Sequence, residues 1–135
     1  MQLEGKRIYI ADDDKSVLEV ITGMLECEGA KVIGGTDGQE IFTSVTFGKP
    51  DCIITDLYMP HSDGFSAIEA MRDFLSVSCP ILVLTGHATK KNIARAHELG
   101  AAECLSKPVQ KDKLIDTVAR LIDNFSKKTS NFVTV

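Results

Sequence analysis

Four polar positions each follow an apolar run in this chain: Asp12-Asp13-Asp14, a lone Asp56, Thr85-Gly86 and Lys107-Pro108. Brought together, Asp12, Asp13 and Asp56 would supply three carboxylates, Thr85 a hydroxyl and Lys107 an ammonium. Two carboxylates about 4 Å apart repel by roughly 4 kcal/mol at an effective dielectric near 20. One lysine cannot neutralise three acids, whereas a hard divalent cation can. Mg2+ uses one or two carboxylates, keeps several waters and takes a phosphate oxygen. The set therefore reads as a site for Mg2+ and a phosphoryl group, with one carboxylate as the nucleophile that forms an aspartyl-phosphate. In such a transfer the protein's task is positioning and charge neutralisation.

Convergence requires particular elements. Apolar runs at Ile8–Ala11, Lys31–Gly34, Cys52–Thr55, Ile81–Leu84 and Glu103–Ser106 read as five strands. The first, third and fourth are continuously apolar, as expected of strands covered on both faces. Between them, Leu18, Ile21 and Leu25 have helical spacing. So do Ile41, Phe42 and Val45 after a Thr36-x-x-Gln39 capping box, and Ile68, Met71 and Leu75. Leu114, Val118, Leu121 and Phe125 form the last stripe, which Pro108 keeps from starting much earlier. The fourth helix, about Lys90 to Leu99, offers only Ile93, Ala94, Ala96 and Leu99 as an inner face and is expected to be the least anchored. Strands alternating with helices imply parallel β-α-β units in an open, doubly wound α/β sheet. Ligands of such sheets sit beyond the carboxyl ends of the strands, where the four polar positions fall.

The 135 residues suit one domain with a real core, and 44% apolar with 25% charged residues is ordinary for a soluble globular protein. Residues 1–126 read as the domain and 127–135, rich in Ser, Thr and Lys, as a flexible tail. A net charge of -4 without a basic stripe argues against direct nucleic-acid binding and against docking on anionic membranes. No run is long enough for membrane insertion, and no signal-peptide core is seen, so a cytoplasmic location is the default expectation. Cys27, Cys52, Cys79 and Cys104 are widely spaced and read as reduced, mostly buried thiols.

The motifs Ile8-Tyr-Ile-Ala-Asp12-Asp13-Asp14, Pro50-Asp-Cys-Ile-Ile-Thr-Asp56-Leu-Tyr-Met59-Pro60-x3-Gly64, Leu84-Thr85-Gly86 and Lys107-Pro108 together resemble the response-regulator receiver domain, in its stand-alone, chemotaxis-regulator-like form. The resemblance spans about residues 5 to 126. It implies a flavodoxin-like (βα)5 fold with a five-stranded parallel sheet in the order 2-1-3-4-5. It also implies that Asp56 is the phosphoacceptor. Asp13 would be a direct Mg2+ ligand, Asp12 its acidic neighbour acting largely through water, and the backbone carbonyl of Tyr58 a further ligand. Lys107 would pair with the phosphoryl oxygens ahead of a cis Lys107–Pro108 bond, and Thr85 would supply the hydroxyl that moves toward them. A histidine kinase or a histidine phosphotransfer protein would be the donor. A downstream protein effector, not named by the sequence, would read the face made by the fourth helix, fifth strand and fifth helix; onward transfer of the phosphoryl group in a relay, and a place as the receiver part of a longer chain, are equally open. Such a module promotes only its own phosphorylation and dephosphorylation.

One position departs from the family pattern. Cys104 stands where an aromatic ring is usual, so switching would run through Thr85 and the loop after the fourth strand without a ring rotation. Tyr58 and His87 are expected at the rim of the phosphoryl pocket, shielding an acyl phosphate from water. Alternative readings are weaker. A small Mg2+-dependent aspartyl-phosphate phosphatase or phosphotransferase of the haloacid-dehalogenase kind would carry its nucleophile in a D-x-D after the first strand. A flavodoxin-like nucleotide binder would need a phosphate loop where the acidic triplet stands. A receiver that is never phosphorylated would not be expected to hold the full set of Asp12, Asp13, Asp56, Thr85 and Lys107. Taken singly, each feature has a plainer role: Asp13 or Asp14 as cap of the first helix, Asp63 as cap of the third, Tyr9 as core. His61, His87 and His97 lack metal-ligand spacing.

Overall fold

Three apolar runs, Ile8–Ala11, Cys52–Ile54 and Ile81–Leu84, are buried end to end, and they form the centre of a sheet. The computed structural model describes residues 1–37, 43–44, 48–59, 62–73 and 78–133. Its elements are β1 (Arg7–Ala11), α1 (Lys15–Glu26), β2 (Lys31–Gly35), β3 (Cys52–Thr55), β4 (Tyr58–Met59), β5 (Ser62–Asp63), α2 (Gly64–Asp73), β6 (Ile81–Thr85), α3 (Lys90–Leu99), β7 (Glu103–Ser106) and α4 (Lys111–Val133). The second helix expected around Gln39, Ile41, Phe42 and Val45, together with Pro60, His61 and Leu75, lies outside the described residues.

The large sheet is parallel, in the order β2-β1-β3-β6-β7. Counted along that sheet alone, this is the expected 2-1-3-4-5. A two-stranded antiparallel pair, β4-β5, sets Tyr58 opposite Asp63 and was not anticipated. Side chains alternate across the large sheet, because successive residues of a strand point to opposite faces. On one face Ile8, Ile10, Ile54, Leu82 and Leu84 meet Ile21 and Leu25 of α1 and Leu114 and Val118 of α4. On the other, Tyr9, Ile53, Ile81 and Val83 meet Phe65, Ile68 and Met71 of α2 and Ala96 of α3. Tyr9 is core, as expected. Truncating any of the central isoleucines to Ala would cost about 2–5 kcal/mol, so the strand ends that carry the polar residues are rigidly placed.

The helix starts follow local chemistry. Asp14 caps α1, its carboxylate accepting from the backbone N–H of Ser16 and Val17 at 2.9 and 3.2 Å. Asp63 caps α2 by accepting from Phe65 N–H at 3.0 Å. Thr89 caps α3 through Asn92 N–H, and Gly100 closes that helix in the left-handed region at φ 119°.

Three features differ from the sequence expectations. The boundary read at residue 126 falls inside α4, which runs on to Val133, because no Pro or Gly interrupts the ladder there. The inner face of α3 is narrower than its spacing suggested: Ala96 is buried and Leu99 partly so, whereas Ala94 is exposed and Ile93 is 40% exposed. Asn92 turns toward the loop at His87, and Ile93, about 100° further round the helix, therefore faces outward. All four cysteines are free thiols, but Cys27 is exposed at the end of α1. Burial pushes the Cys79 thiol up to about 12 and raises Cys52 as well, which fits inert core residues. Among the described residues, no helix is long and apolar enough to cross a membrane.

Candidate functional site

The site is built at the carboxyl end of the large sheet, beside the point where the strand order turns back between β1 and β3. Backbone hydrogen bonds carry each strand's ladder one residue further and so fix the polar residues. Asp12 N–H donates to Gly35 O at 3.1 Å, and Asp56 N–H donates to Ala11 O at 3.2 Å. Lys107 N–H donates to Thr85 O at 2.9 Å. Asp56 is thereby held next to Asp12, and Lys107 next to Thr85.

The side chains then meet. One carboxylate oxygen from each of Asp12, Asp13 and Asp56 lies within 4.8 Å of the others. Asp12 and Asp56 are buried and Asp13 is exposed. The Lys107 ammonium bridges the two buried acids, 2.5 Å from Asp12 Oδ2 and 2.7 Å from Asp56 Oδ2. Asp56 Oδ1 accepts from Leu57 N–H at 2.6 Å, and Tyr58 N–H lies at 3.5 Å from the same atom. Burial alone would lower the Lys107 ammonium, but the hydrogen bonds and charges of Asp12 and Asp56 outweigh it and hold it above the ordinary lysine value. The Lys107–Pro108 bond is cis, as expected.

Thr85 is fully buried at the end of β6, where its Oγ1 accepts from His87 N–H at 3.1 Å. His87 is exposed, and its ring stands edge-on to Tyr58 with centroids 4.8 Å apart. The Tyr58 ring also meets Phe65 edge-on at 6.3 Å. Both residues expected at the rim therefore lie together, over the loop that leads into α3. Cys104 is half-buried opposite Val83 and packs against the core cluster of α2 and α3. Burial raises its thiol, and the Asp56 charge adds to the shift.

Several contributors were not read from the sequence. Lys107 serves Asp12 as well as Asp56. Leu57 N–H orients the Asp56 carboxylate. Gly64 matters because a Cβ there would stand 2.4 Å from Asp56 O and 2.5 Å from Leu57 Cα, so α2 can begin against the Asp56 peptide only at a glycine. Gly64 lay within the motif quoted above, but nothing in the spacing showed what it approaches.

The profile of the response regulator receiver domain matches residues 8–119. The chain belongs to this family. Transcriptional regulatory protein PdtaR of Mycobacterium tuberculosis is 32% identical over 127 residues, covering 93% of this chain and 60% of that protein. Phosphate regulon transcriptional regulatory protein PhoB of Pseudomonas aeruginosa is 30% identical over 112 residues, covering 82% of this chain and 49% of that protein. The chain thus spans about half or slightly more of these curated relatives. Among solved structures, the receiver domain of Francisella response regulator 1452 matches with TM-score 0.83 and 27% identity, over 89% of this chain and 98% of that one. Chemotaxis response regulator CheY4 of Vibrio cholerae matches with TM-score 0.81 and 27% identity, over 87% of this chain and 98% of that one. Receiver domains of two-component response regulators are phosphorylatable signalling switches, and their acidic pocket typically takes Mg2+. The donor set of this receiver fits such an ion: three carboxylates of a hard oxygen type, one of them exposed and two already partly neutralised by Lys107.

Proposed function

We propose that this receiver domain is switched by transfer of a phosphoryl group from a phosphohistidine onto Asp56. A carboxylate oxygen of Asp56 attacks phosphorus, the P–N bond of the donor breaks, and its electron pair returns to the imidazole. Asp56 is suited to this role because one of its oxygens is oriented by Leu57 N–H while the other is held by Lys107. Lys107 then has a second anionic partner to follow, the transferred phosphoryl oxygens, and Thr85 has a hydroxyl proton to give to one of them. A Mg2+ held by Asp12, Asp13, Asp56 and the Tyr58 carbonyl supplies positive charge against those oxygens when bound. The observation that carries this reading is the convergence of Asp12, Asp13 and Asp56 within 4.8 Å beside the Lys107 ammonium.

A histidine kinase or a histidine phosphotransfer protein is the proposed donor. The signal leaves through the face formed by α3, β7 and α4 to a downstream protein effector, in the cytoplasm and without direct contact of this domain to nucleic acid. The domain accelerates only its own gain and loss of phosphate. Intact-mass spectrometry after incubation with acetyl phosphate, with and without Mg2+, tests this for the wild type and Asp56→Asn. A Mg2+-dependent gain of one phosphoryl group, absent in the variant, is expected. A gain that persists in Asp56→Asn would move the acceptor elsewhere, and no gain with either acetyl phosphate or a phosphohistidine protein would end the proposal.

A further inference from the structure

A cleft of about 490 Å3 lies between the C-terminal end of α3 and the second half of α4. The sheet lines it with Pro80, just before β6, and Ala102, just before β7. The Asp56 site stands at the opposite ends of the strands. Five residues of β6, at about 3.3 Å each, separate the two by roughly 16 Å. Two stripes of α4 form one wall. Leu121 and Phe125, one turn apart, continue the apolar lining. Arg120, Asn124 and Lys127, at i, i+4 and i+7, share the neighbouring face. His97 of α3 stands across from them. The polar groups here keep hydrogen-bonding capacity in reserve. Glu103 engages Arg120 through Nη2 alone, at 2.8 and 3.0 Å, which leaves the Nε and Nη1 donors. Asp123 holds the Lys127 ammonium at 3.0 Å, occupying one of its three donors. His97 Nδ1 lies 3.3 Å from Ala101 O; a carbonyl only accepts, so Nδ1 carries the proton and Nε2 of the neutral ring is an acceptor. Among the described residues, the exposed Asn124 amide has no hydrogen-bond partner.

We infer that this cleft binds a nucleoside monophosphate. Arg120 and Lys127, two turns apart on one helix face, match a phosphate, which a guanidinium grips through two parallel N–H bonds. The apolar lining with the Phe125 ring offers a flat base a surface to lie on. Asn124 both donates and accepts, as the edge of a base requires, and His97 Nε2 takes a ribose hydroxyl. Neither half of the ligand fits the whole cleft. Inorganic phosphate would leave the apolar lining bare, and a purely apolar guest would desolvate two charged side chains. The volume falls within the range of about 300–1,000 Å3 usual for small-molecule sites. Glu103 competes with the phosphate for Arg120, so a bare anion gains little by entering. The inference does not depend on phosphoryl transfer at Asp56. It adds a second input to the face proposed for the effector.

Heteronuclear NMR of the full chain in chelator, titrated with AMP, GMP, adenosine and inorganic phosphate, tests the site. The proteins compared are the wild type, Arg120→Gln, Glu103→Gln, Phe125→Leu and Asp56→Asn. At least one nucleotide should saturably shift the signals of His97, Ala102 and residues 120–127 at millimolar concentration or below. Adenosine and inorganic phosphate should each bind more weakly by about tenfold or more. Arg120→Gln should weaken nucleotide binding about tenfold, as expected for a lost charge-assisted hydrogen bond. Glu103→Gln should strengthen it, because the competing carboxylate is gone. These two residues form a solvent-facing pair, so neither change threatens the fold. Phe125→Leu, which keeps the site apolar, should weaken binding about fivefold or more through lost stacking. Asp56→Asn should bind as the wild type does. The absence of a saturable shift in this region with either nucleotide overturns the inference. Inorganic phosphate or adenosine binding as tightly as the nucleotide also overturns it, the first marking an anion patch only. Shifts centred on Asp12, Asp56 and Lys107, or an Arg120→Gln variant that binds like the wild type, would overturn it as well.

Discussion

Asp13→Asn should change sign with the ion present. Asp13 is the exposed member of the acidic group, and among the described residues its carboxylate has no hydrogen-bond or ion-pair partner, while Asp14 caps α1. Its oxygen lies within 4.8 Å of those of Asp12 and Asp56. At that distance a pair of carboxylates repels by about 3.5 kcal/mol at a dielectric of 20 and about 0.9 kcal/mol in bulk water. Because Asp13 is exposed, the water-like end applies, and salt screens it further. Two neighbours, less the offset from Lys107, leave a gain of about 1 kcal/mol for the isosteric amide in a chelator-containing buffer. With urea slopes of about 1–3 kcal/mol/M, that gain raises the unfolding midpoint by about 0.3–1 M. In millimolar Mg2+ the order should reverse, since the wild type gains binding energy that the variant has lost. Equilibrium unfolding of both proteins in urea, at pH 7 and low ionic strength, with chelator and with Mg2+, reads both differences. A variant less stable than the wild type in chelator would refute the repulsion argument. Equal stabilisation of both proteins by Mg2+ would refute the role of Asp13 as a ligand.

Lys107→Met should lower stability by about 3–5 kcal/mol at neutral pH, because it strands two buried carboxylates. Since the folded state raises the Lys107 pKa above 10.5, its contribution is complete below that value and is lost as pH climbs through the raised one. The gap between wild type and variant in urea midpoint should therefore hold to about pH 10 and narrow above it, and a gap that widens there would contradict the ion pairing. Gly64→Ala should destabilise by more than 1 kcal/mol and slow phosphoryl uptake at Asp56, since the new methyl meets backbone rather than a yielding side chain; thermal unfolding and a mass time course together check it. His87→Ala should shorten the life of the acyl phosphate by opening the rim beside Tyr58, and phosphate-release kinetics giving slower loss would instead assign His87 to water activation. Cys104→Tyr should leave phosphorylation rates much the same and alter effector affinity, and an unchanged affinity would remove this position from the switch.

The polar ends of the strands were legible because parallel β structure writes them plainly: a strand run gives way at its carboxyl end to a polar side chain. Asp12, Asp56, Thr85 and Lys107 each stand at such a point, and the fold brings all four together. The caps at Asp14 and Asp63 were legible for a similar reason, each being a short acceptor placed just before a helical stripe. What escaped has no period. The β4-β5 pair is two residues long on each side, too short for alternation to register. The bonds from Lys107 to Asp12 and from Asn92 to His87 O depend on rotamers and on one loop path, which spacing does not encode. The outward turn of Ile93 follows from that same loop. The continuation of α4 beyond residue 126 was hidden by composition, because Ser, Thr and Lys read as a tail although nothing among them stops a helix.

The pairing of Lys107 with Asp56 spans 51 positions of chain and closes only when β7 docks at the edge of the sheet. During synthesis, Asp56 emerges well before the residue that balances it. A nascent chain lacking residues 103–107 holds an acidic group without its lysine and without the hydrogen bond between Lys107 N–H and Thr85 O. On the phosphorylation reading proposed above, the complete site therefore exists only once the last strand is in place, and the Lys107 contact to Asp56 ties the acceptor to a finished sheet.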